Sequence, residues 1–313
     1  MNIQAMENRD MTIIDIELDA SLEIVFSVEP VCEDFELEKF EREAVMNLNS
    51  NLRKILPHIA HEQLLFLSNL FLAIEHTEAC LRLTEFLFEE KMNLSHNHEK
   101  QIKLNAAYAL AIKGEQQSSI SCLNGIILSY DGLKKDRLYF DTLEAKAHCL
   151  VSVNNLKTAL ELHHEVLDFR LMKGLTATAA KSRISIGRIH IKYSNDTIAI
   201  NCLKDAISML MPMGDSLTLA YALIELSKLH KQMNSIREAE ISLNEARIIC
   251  NRVKSDRGLG LVMMTSVEFN IESNTDVLQT NYEKLDIARR CFEIVGDFRR
   301  MERIDELFKS CAN

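Results

Sequence analysis

A repeat with a period of 40 residues is the feature of this sequence that most limits its fold. Small side chains return at that spacing, at Ala79, Ser119, Ala159, Ala199 and Ala239. A mostly apolar residue follows each of them after four residues, and another apolar or small residue follows after seven. Because offsets of 0, 4 and 7 lie on one face of an α-helix, each copy predicts an amphipathic helix. A sixth copy begins at Asn281, 42 residues after Ala239.

A second column of mostly small residues lies twelve positions before each anchor. It holds Leu67, Ala107, Ala147, Gly187, Ser227 and Phe269. Small residues that face one another allow two helices to pack at a short interaxial distance. Each copy therefore predicts a pair of closely packed antiparallel helices.

The predicted helix ends carry glycines and two aspartates. The glycines are Gly132, Gly174, Gly214, Gly258 and Gly296. We expect them to end helices, because glycine adopts a positive φ without a Cβ clash. Asp215 and Asp297 directly follow two of these glycines and are expected to cap the next helices.

The pattern resembles the tetratricopeptide repeat, most clearly in RISIGRIHIKYSNDTIAINCLKDA (183–206) and LIELSKLHKQMNSIREAEISLNEA (223–246). In that family a small–Leu–x–x–small helix faces an Ala–x–x–x–Leu–x–x–Ala helix, and here the match covers residues 60–294. The chain departs from the family pattern in lacking Trp, in placing His190 and His230 where an aromatic residue is usual, and in lacking the usual Pro. The 40-residue period is similar to the long-helix variants of bacterial regulatory proteins, peptide-pheromone receptors and kinesin light chains.

The resemblance implies an all-α fold, a right-handed α-solenoid of antiparallel helix pairs. We expect six helical hairpins, closed by a C-terminal capping helix with the sequence DFRRMERIDELFKS. A connecting helix is expected over residues 35–56, ending before Pro57. Residues 35–313 are therefore predicted to form the repeat domain, and residues 1–34 to form a separate acidic N-terminal segment.

The N-terminal segment contains IDIELDASLEIVFSVE (14–29), in which apolar residues alternate with acidic or other residues. Alternation with period two predicts an extended strand. Residues 1–45 hold 13 acidic and 3 basic side chains, so they account for the whole net charge of −10. We expect this segment to dock at the binding groove as a competitor for ligand. The alternatives are a β-paired homodimer and a short helix that caps the first repeat.

Composition favours a cytoplasmic protein that binds neither nucleic acid nor membrane. The N-terminus has no basic and apolar leader, and the longest apolar run, LLFLSNLFLAI (64–74), is shorter than the roughly 18–20 residues of a membrane span. The eight cysteines include no CxxC pair, which favours reduced thiols. Beyond residue 45, acidic and basic residues are equal in number, so net charge gives no support for nucleic-acid binding.

No motif predicts catalysis, a metal site or a cofactor. The histidine pairs are His58 and His61, His96 and His98, and His163 and His164, and a metal site needs three or four converging ligands. HEQLL (61–65) lacks the second histidine of a metalloprotease helix, and RGLGLV (257–262) lacks the third glycine of a dinucleotide loop. The thirteen methionines are expected to be mainly core residues, with a pliable binding surface as the alternative.

The family resemblance also implies a binding groove, lined by the first helix of each repeat. At the positions that line it in the family, this chain has Lys181, Arg188, Lys192, Lys228, Lys231, Asn270 and Asn274. Five bases and no acid are thus expected on two successive helices. They are expected to hold the carboxylates of an acidic peptide, with the two asparagines bonding its backbone. The alternative is that long basic side chains only solvate an exposed face.

These features predict a non-enzymatic adaptor, scaffold or regulator that captures a protein segment in the groove. The alternatives are an intracellular sensor of a signalling peptide and the regulatory module of a bacterial signalling enzyme. Replacing Arg188 and Lys228 with Glu is expected to weaken binding of an acidic peptide. It is also expected to leave folding intact, because exposed charges contribute little to stability.

Overall fold

The computed structural model describes residues 17–18, 24–25, 65, 68–69, 72, 77–89, 94–130, 135–272, 278–294 and 298–312. Twelve α-helices have bounds within these ranges: α1 (Thr77–Glu89), α2 (His96–Ile112), α3 (Gln116–Leu128), α4 (Arg137–Ser152), α5 (Leu156–Met172), α6 (Thr176–Lys192), α7 (Asp196–Leu210), α8 (Leu217–Gln232), α9 (Ile236–Arg252), α10 (Asp256–Glu272), α11 (Leu278–Ile294) and α12 (Phe298–Ala312). A 3₁₀ turn, Met211–Met213, follows α7. The prediction of an all-α fold is confirmed.

Two units make up the chain, Met1–Leu162 and His163–Asn313. In the first unit α1 packs on α2, α2 on α3, and α3 on α4. In the second, α6 pairs with α7, α8 with α9 and α10 with α11, while α12 packs on α10 and α11. The first helices of successive pairs also meet, α6 with α8 and α8 with α10. This succession of packed helix pairs, with α12 at its end, is the predicted tetratricopeptide-like arrangement.

The columns of the repeat form the core of each pair. The small anchors Ser119, Ala159, Ala199 and Ala239 are fully buried. The column four residues later is buried too, at Leu83, Leu123, His163, Leu203, Leu243 and Leu285. A Cβ added at Gly187 would lie 3.4 Å from the carbonyl oxygen of Ala199 and from side-chain carbons of α7. The small residue in the first helix therefore does allow close approach of the second, as predicted.

Most of the turns between helices share one geometry. The left-handed residues are Gly114, Asn154, Gly174, Ser194, Asn234 and Lys254, with φ between 53° and 84°. At each turn the next amide donates to the carbonyl five residues earlier, as from Asn195 to His190 at 2.9 Å. This is the Schellman arrangement, which satisfies the last carbonyls of a helix.

The predicted glycine ends are confirmed at Gly174 and Gly214, both with positive φ. The prediction is wrong for Gly258, which lies inside α10, where an added Cβ would meet the Cys250 sulfur at 2.6 Å. Its lack of a side chain serves close packing and not a turn. Gly132 and Gly296 lie outside the described residues.

The predicted cap at Asp215 is also wrong. Ser216 caps α8 instead, because its hydroxyl accepts a hydrogen bond from the Leu219 amide at 3.2 Å. The Asp215 carboxylate accepts from Arg252 Nη1 at 3.1 Å. Asp297 lies outside the described residues.

Replacing Lys254 with Gly is expected to stabilise the protein by about 0.5–1 kcal/mol, because a non-glycine residue is strained in the left-handed region. The midpoint of urea unfolding measures this change. Lys173, in the α5–α6 turn, does not have a positive φ. Lys173→Gly should therefore lower stability, and an equal gain from both variants would contradict the argument.

The predicted N-terminal strand is described at four residues. Glu17–Leu18 (β1) and Ile24–Val25 (β2) pair antiparallel, with Glu17 opposite Val25 and Leu18 opposite Ile24. Extended backbone within IDIELDASLEIVFSVE is thus confirmed at these positions. The predicted domain border at residue 34, the helix over 35–56 and Pro57 lie outside the described residues. The expected docking of the segment, like its alternatives, stays a prediction.

Within the described ranges, no helix is long and apolar enough to span a bilayer.

Candidate functional site

The five predicted bases lie on two helices that pack against each other in the second unit. Lys181, Arg188 and Lys192 belong to α6, and Lys228 and Lys231 belong to α8. We call these five residues the basic strip. Lys192 is exposed, whereas Lys181, Lys228 and Lys231 are half-buried. Asn270 lies on α10, and Asn274 lies outside the described residues.

An acidic residue contacts two members of the basic strip, so the expectation of five bases without an acid is wrong. Arg188 Nη2 is 3.3 Å from Glu225 Oε1, and Lys228 Nζ is 3.4 Å from the same oxygen. Glu225 is on α8, three residues before Lys228. Its carboxylate therefore faces both Lys228 on its own helix and Arg188 on the neighbouring helix.

The two partners of this interhelical ion pair are shielded from solvent to a similar degree. The side chain of Arg188 is 14% exposed and that of Glu225 is 16% exposed, whereas that of Lys228 is 41% exposed. Partial burial reduces solvent screening, so the attraction is stronger than in a fully exposed pair. The basic strip and Glu225 together carry five positive charges and one negative charge.

Lys231 contacts the end of the next first helix. Its Nζ donates a hydrogen bond to the Phe269 carbonyl at 3.1 Å and lies 5.5 Å from the centre of the Phe269 ring. Phe269 is in the last turn of α10, where carbonyls lack partners within the helix. Lys231 therefore also stabilises the C-terminal end of α10, where a cation interacts favourably with the helix dipole.

Asn270 bonds within the α10–α11 pair. Its Nδ2 donates to Asn281 Oδ1 at 2.7 Å, and Asn281 is buried. This bond directs the Asn270 amide toward the second helix of its own pair. Its predicted role in bonding a peptide backbone stays a prediction, as does the participation of the five bases.

Burial disfavours the thiolate form of the cysteines among the described residues. Burial raises the pKa of the Cys80 thiol to about 11 and that of Cys250 to about 12. It also raises the pKa of the Cys149 and Cys202 thiols. A raised pKa keeps these groups as unreactive thiols at neutral pH. Among the described residues, no three His, Cys, Asp or Glu side chains lie together as they would to hold a metal ion.

Known proteins resemble this chain in structure and not in sequence. No family model matches the sequence, and no curated protein matches it either. A Rap protein complexed with competence and sporulation factor aligns with a TM-score of 0.65 and 10% identity, over 88% of this chain and 82% of that chain. Aspartyl phosphate phosphatase F from Bacillus subtilis aligns with a TM-score of 0.60 and 9% identity, over 90% and 78%.

A third structure is PlcR from Bacillus thuringiensis in complex with the peptide PapR7 and DNA. It aligns with a TM-score of 0.51 and 11% identity, over 62% of this chain and 70% of that chain. Identities this low establish a shared fold and nothing finer. The chain therefore has the fold of the tetratricopeptide-like α-solenoids, as its 40-residue repeat predicts.

Proposed function

We propose that this protein is a non-enzymatic regulator or adaptor that binds an acidic protein segment along the basic strip. The observation that carries the proposal is the geometry at Arg188 and Lys228, two cations from neighbouring helices that both approach one carboxylate oxygen. Charge-assisted hydrogen bonds to carboxylates are stronger than neutral ones. Successive first helices of a helical-repeat fold also provide an extended surface of the kind that commonly binds other chains.

The structural neighbours support a peptide as the ligand. PlcR is complexed with the peptide PapR7, and a Rap protein with competence and sporulation factor. A sensor of a signalling peptide is therefore one specific form of the proposal, and a regulatory module of a bacterial signalling enzyme is another. At 9% identity, the likeness to aspartyl phosphate phosphatase F transfers no activity to this chain. PlcR also holds DNA, but the balanced charge beyond residue 45 gives no support for that partner here.

A set of short fluorescent peptides of equal length tests the proposal by anisotropy. One peptide is rich in Asp and Glu, a second has Asn and Gln at the same positions, and a third has Lys there. We expect the acidic peptide to bind best and its affinity to fall with added salt, since exposed charges are screened. Equal binding of the acidic and amide peptides would contradict a charge-based site.

Replacing Lys228 with Ala should weaken binding of the acidic peptide about tenfold or more, because a charge-assisted hydrogen bond contributes roughly 1.5–3 kcal/mol. The matched control is Lys204→Ala, which removes an exposed lysine from α7, outside the basic strip. That variant should bind like the unmodified protein. If both substitutions weakened binding equally, the effect would come from net charge and not from the basic strip.

A further inference from the structure

The carboxylate of Glu225 already occupies the position between Arg188 and Lys228 that a ligand carboxylate would take. Its Oε1 is 3.3 Å from Arg188 Nη2 and 3.4 Å from Lys228 Nζ. Charge-assisted N–H···O bonds are usually about 2.7–2.9 Å long. Both contacts are longer than that optimum, so Glu225 Oε1 holds neither cation at the optimal distance.

The exposure of the three side chains gives this position one accessible side. Arg188 and Glu225 are 14% and 16% exposed, whereas Lys228 is 41% exposed. An incoming carboxylate can therefore approach along Lys228. Lys192 on α6 is exposed and lies one helical turn beyond Arg188, so a segment with several acidic residues can contact more of the basic strip.

We propose that Glu225 is a built-in occupant of a carboxylate-binding site formed by Arg188 and Lys228, and that an acidic side chain of a bound segment replaces it there. This inference rests on the proposed function and names its regulation. A carboxylate on the same chain has a high effective concentration. A ligand with one acidic group therefore competes poorly, and a segment with several competes well. Glu225 thus sets a threshold of acidity for binding.

The first experiment removes the occupant and supplies a substitute. Glu225→Ala deletes a CH₂–COO⁻ group, which acetate matches in size and charge. Thermal unfolding of this variant is followed in sodium acetate and in sodium chloride at equal ionic strength. We expect acetate to raise its Tm by about 2–4 °C relative to chloride, because a ligand that binds only the native state stabilises it.

The controls separate a specific site from a general effect of acetate. Glu225→Gln fills the same space without charge, and Glu225→Ala combined with Arg188→Met removes one of the two cations. Neither variant, nor the unmodified protein, should respond more to acetate than to chloride. An equal response of Glu225→Ala to both salts would overturn the proposed carboxylate site.

The second experiment measures affinity for the acidic peptide. Glu225→Gln should bind it about tenfold more tightly than the unmodified protein, with a steeper dependence on salt, because no internal carboxylate has to be displaced. Equal affinity would overturn the role of Glu225 as occupant, even if Glu225→Ala failed to fold. Acetate rescue without any peptide binding would retain the carboxylate site and reject the proposed function.

Discussion

Replacing Phe292 with Ala is expected to lower the free energy of unfolding by about 3–5 kcal/mol. Phe292 lies on α11 and is fully buried, and it is the largest side chain in that state among the described residues. Its ring packs against the backbone of α10 at Gly260, where an added Cβ would lie 2.9 Å from two ring carbons. Alanine would leave a cavity between the two helices. Urea unfolding of the full chain measures the loss.

Gly260→Ala tests the same contact from the other helix, and the sign of its effect should depend on Phe292. Alone, it should destabilise the protein by about 1–3 kcal/mol, because its methyl group overlaps the ring. In the Phe292→Ala background the overlap is gone, and the usual gain of about 1 kcal/mol for Ala over Gly in a helix should appear. Cys291 Cβ, 3.2 Å away, should make that gain somewhat smaller.

Gly125→Ala is the matched control for this pair of substitutions. Gly125 is exposed on α3, and an added Cβ would meet no atom within 4 Å. This variant should be stabilised by about 0.5–1 kcal/mol in both backgrounds. Should Gly260→Ala destabilise the protein equally with and without Phe292, the ring is not what limits space at Gly260.

The helix pairs and their cores could be predicted because they depend on local spacing. An apolar stripe with helical period must be buried, and its return every 40 residues fixes which side chains meet. His163 illustrates the strength of this rule. It takes the place of a leucine in the column and is fully buried all the same.

The turns could be predicted only in part, because glycine is favoured there without being required. Asn154, Ser194, Asn234 and Lys254 adopt the left-handed conformation at turns that contain no glycine. The strain is about 1–2 kcal/mol at Ser194 and Lys254 and smaller at the two asparagines, and the two hydrogen bonds that close each turn offset it. Gly258 and Gly260 have a different role, because their lack of a side chain allows neighbouring helices to approach closely. Glycine in a sequence does not distinguish these two uses.

The composition of the candidate site was only partly predictable from the sequence. The repeat places the five bases on two helices, and these helices do pack against each other. Glu225 falls outside the columns that line the groove in the family pattern. Its contact with Arg188 spans 37 residues, and Asn105 bonds Ser68 across the same spacing at the equivalent repeat positions. The repeat therefore relates the two positions, and the contact is missed only because residue 225 lies outside the family's groove columns. The contact of Asn281 could have been predicted from the sequence. Asn281 stands in the column of buried small residues, and a buried amide requires a hydrogen-bond partner, which Asn270 provides.

Replacing Arg188 with Glu is expected to lower the free energy of unfolding by about 2–4 kcal/mol, between the values for breaking exposed and buried ion pairs. The expectation that replacing Arg188 and Lys228 with Glu leaves folding intact assumes that both side chains are exposed. Arg188 is only 14% exposed, and a carboxylate in its place would face Glu225. The reversed pair, Arg188→Glu with Glu225→Arg, should recover most of the loss, since opposite charges again face each other across α6 and α8.

The matched control is Arg183→Glu on the same helix, whose partner Asp205 is 3.0 Å away. That pair is more open to solvent, with side chains 31% and 55% exposed, so the loss should stay below about 1 kcal/mol. Equal losses at the two positions would show that burial does not strengthen the Arg188–Glu225 pair.

The reversed pair also separates charge from geometry in binding, because it keeps the total charge of the basic strip and Glu225 but moves the guanidinium from α6 to α8. If the acidic peptide recognises only an excess of positive charge, its affinity should not change. If Arg188 and Lys228 form a carboxylate site, a correctly folded reversed variant should bind the peptide about tenfold more weakly, since one charge-assisted bond is lost.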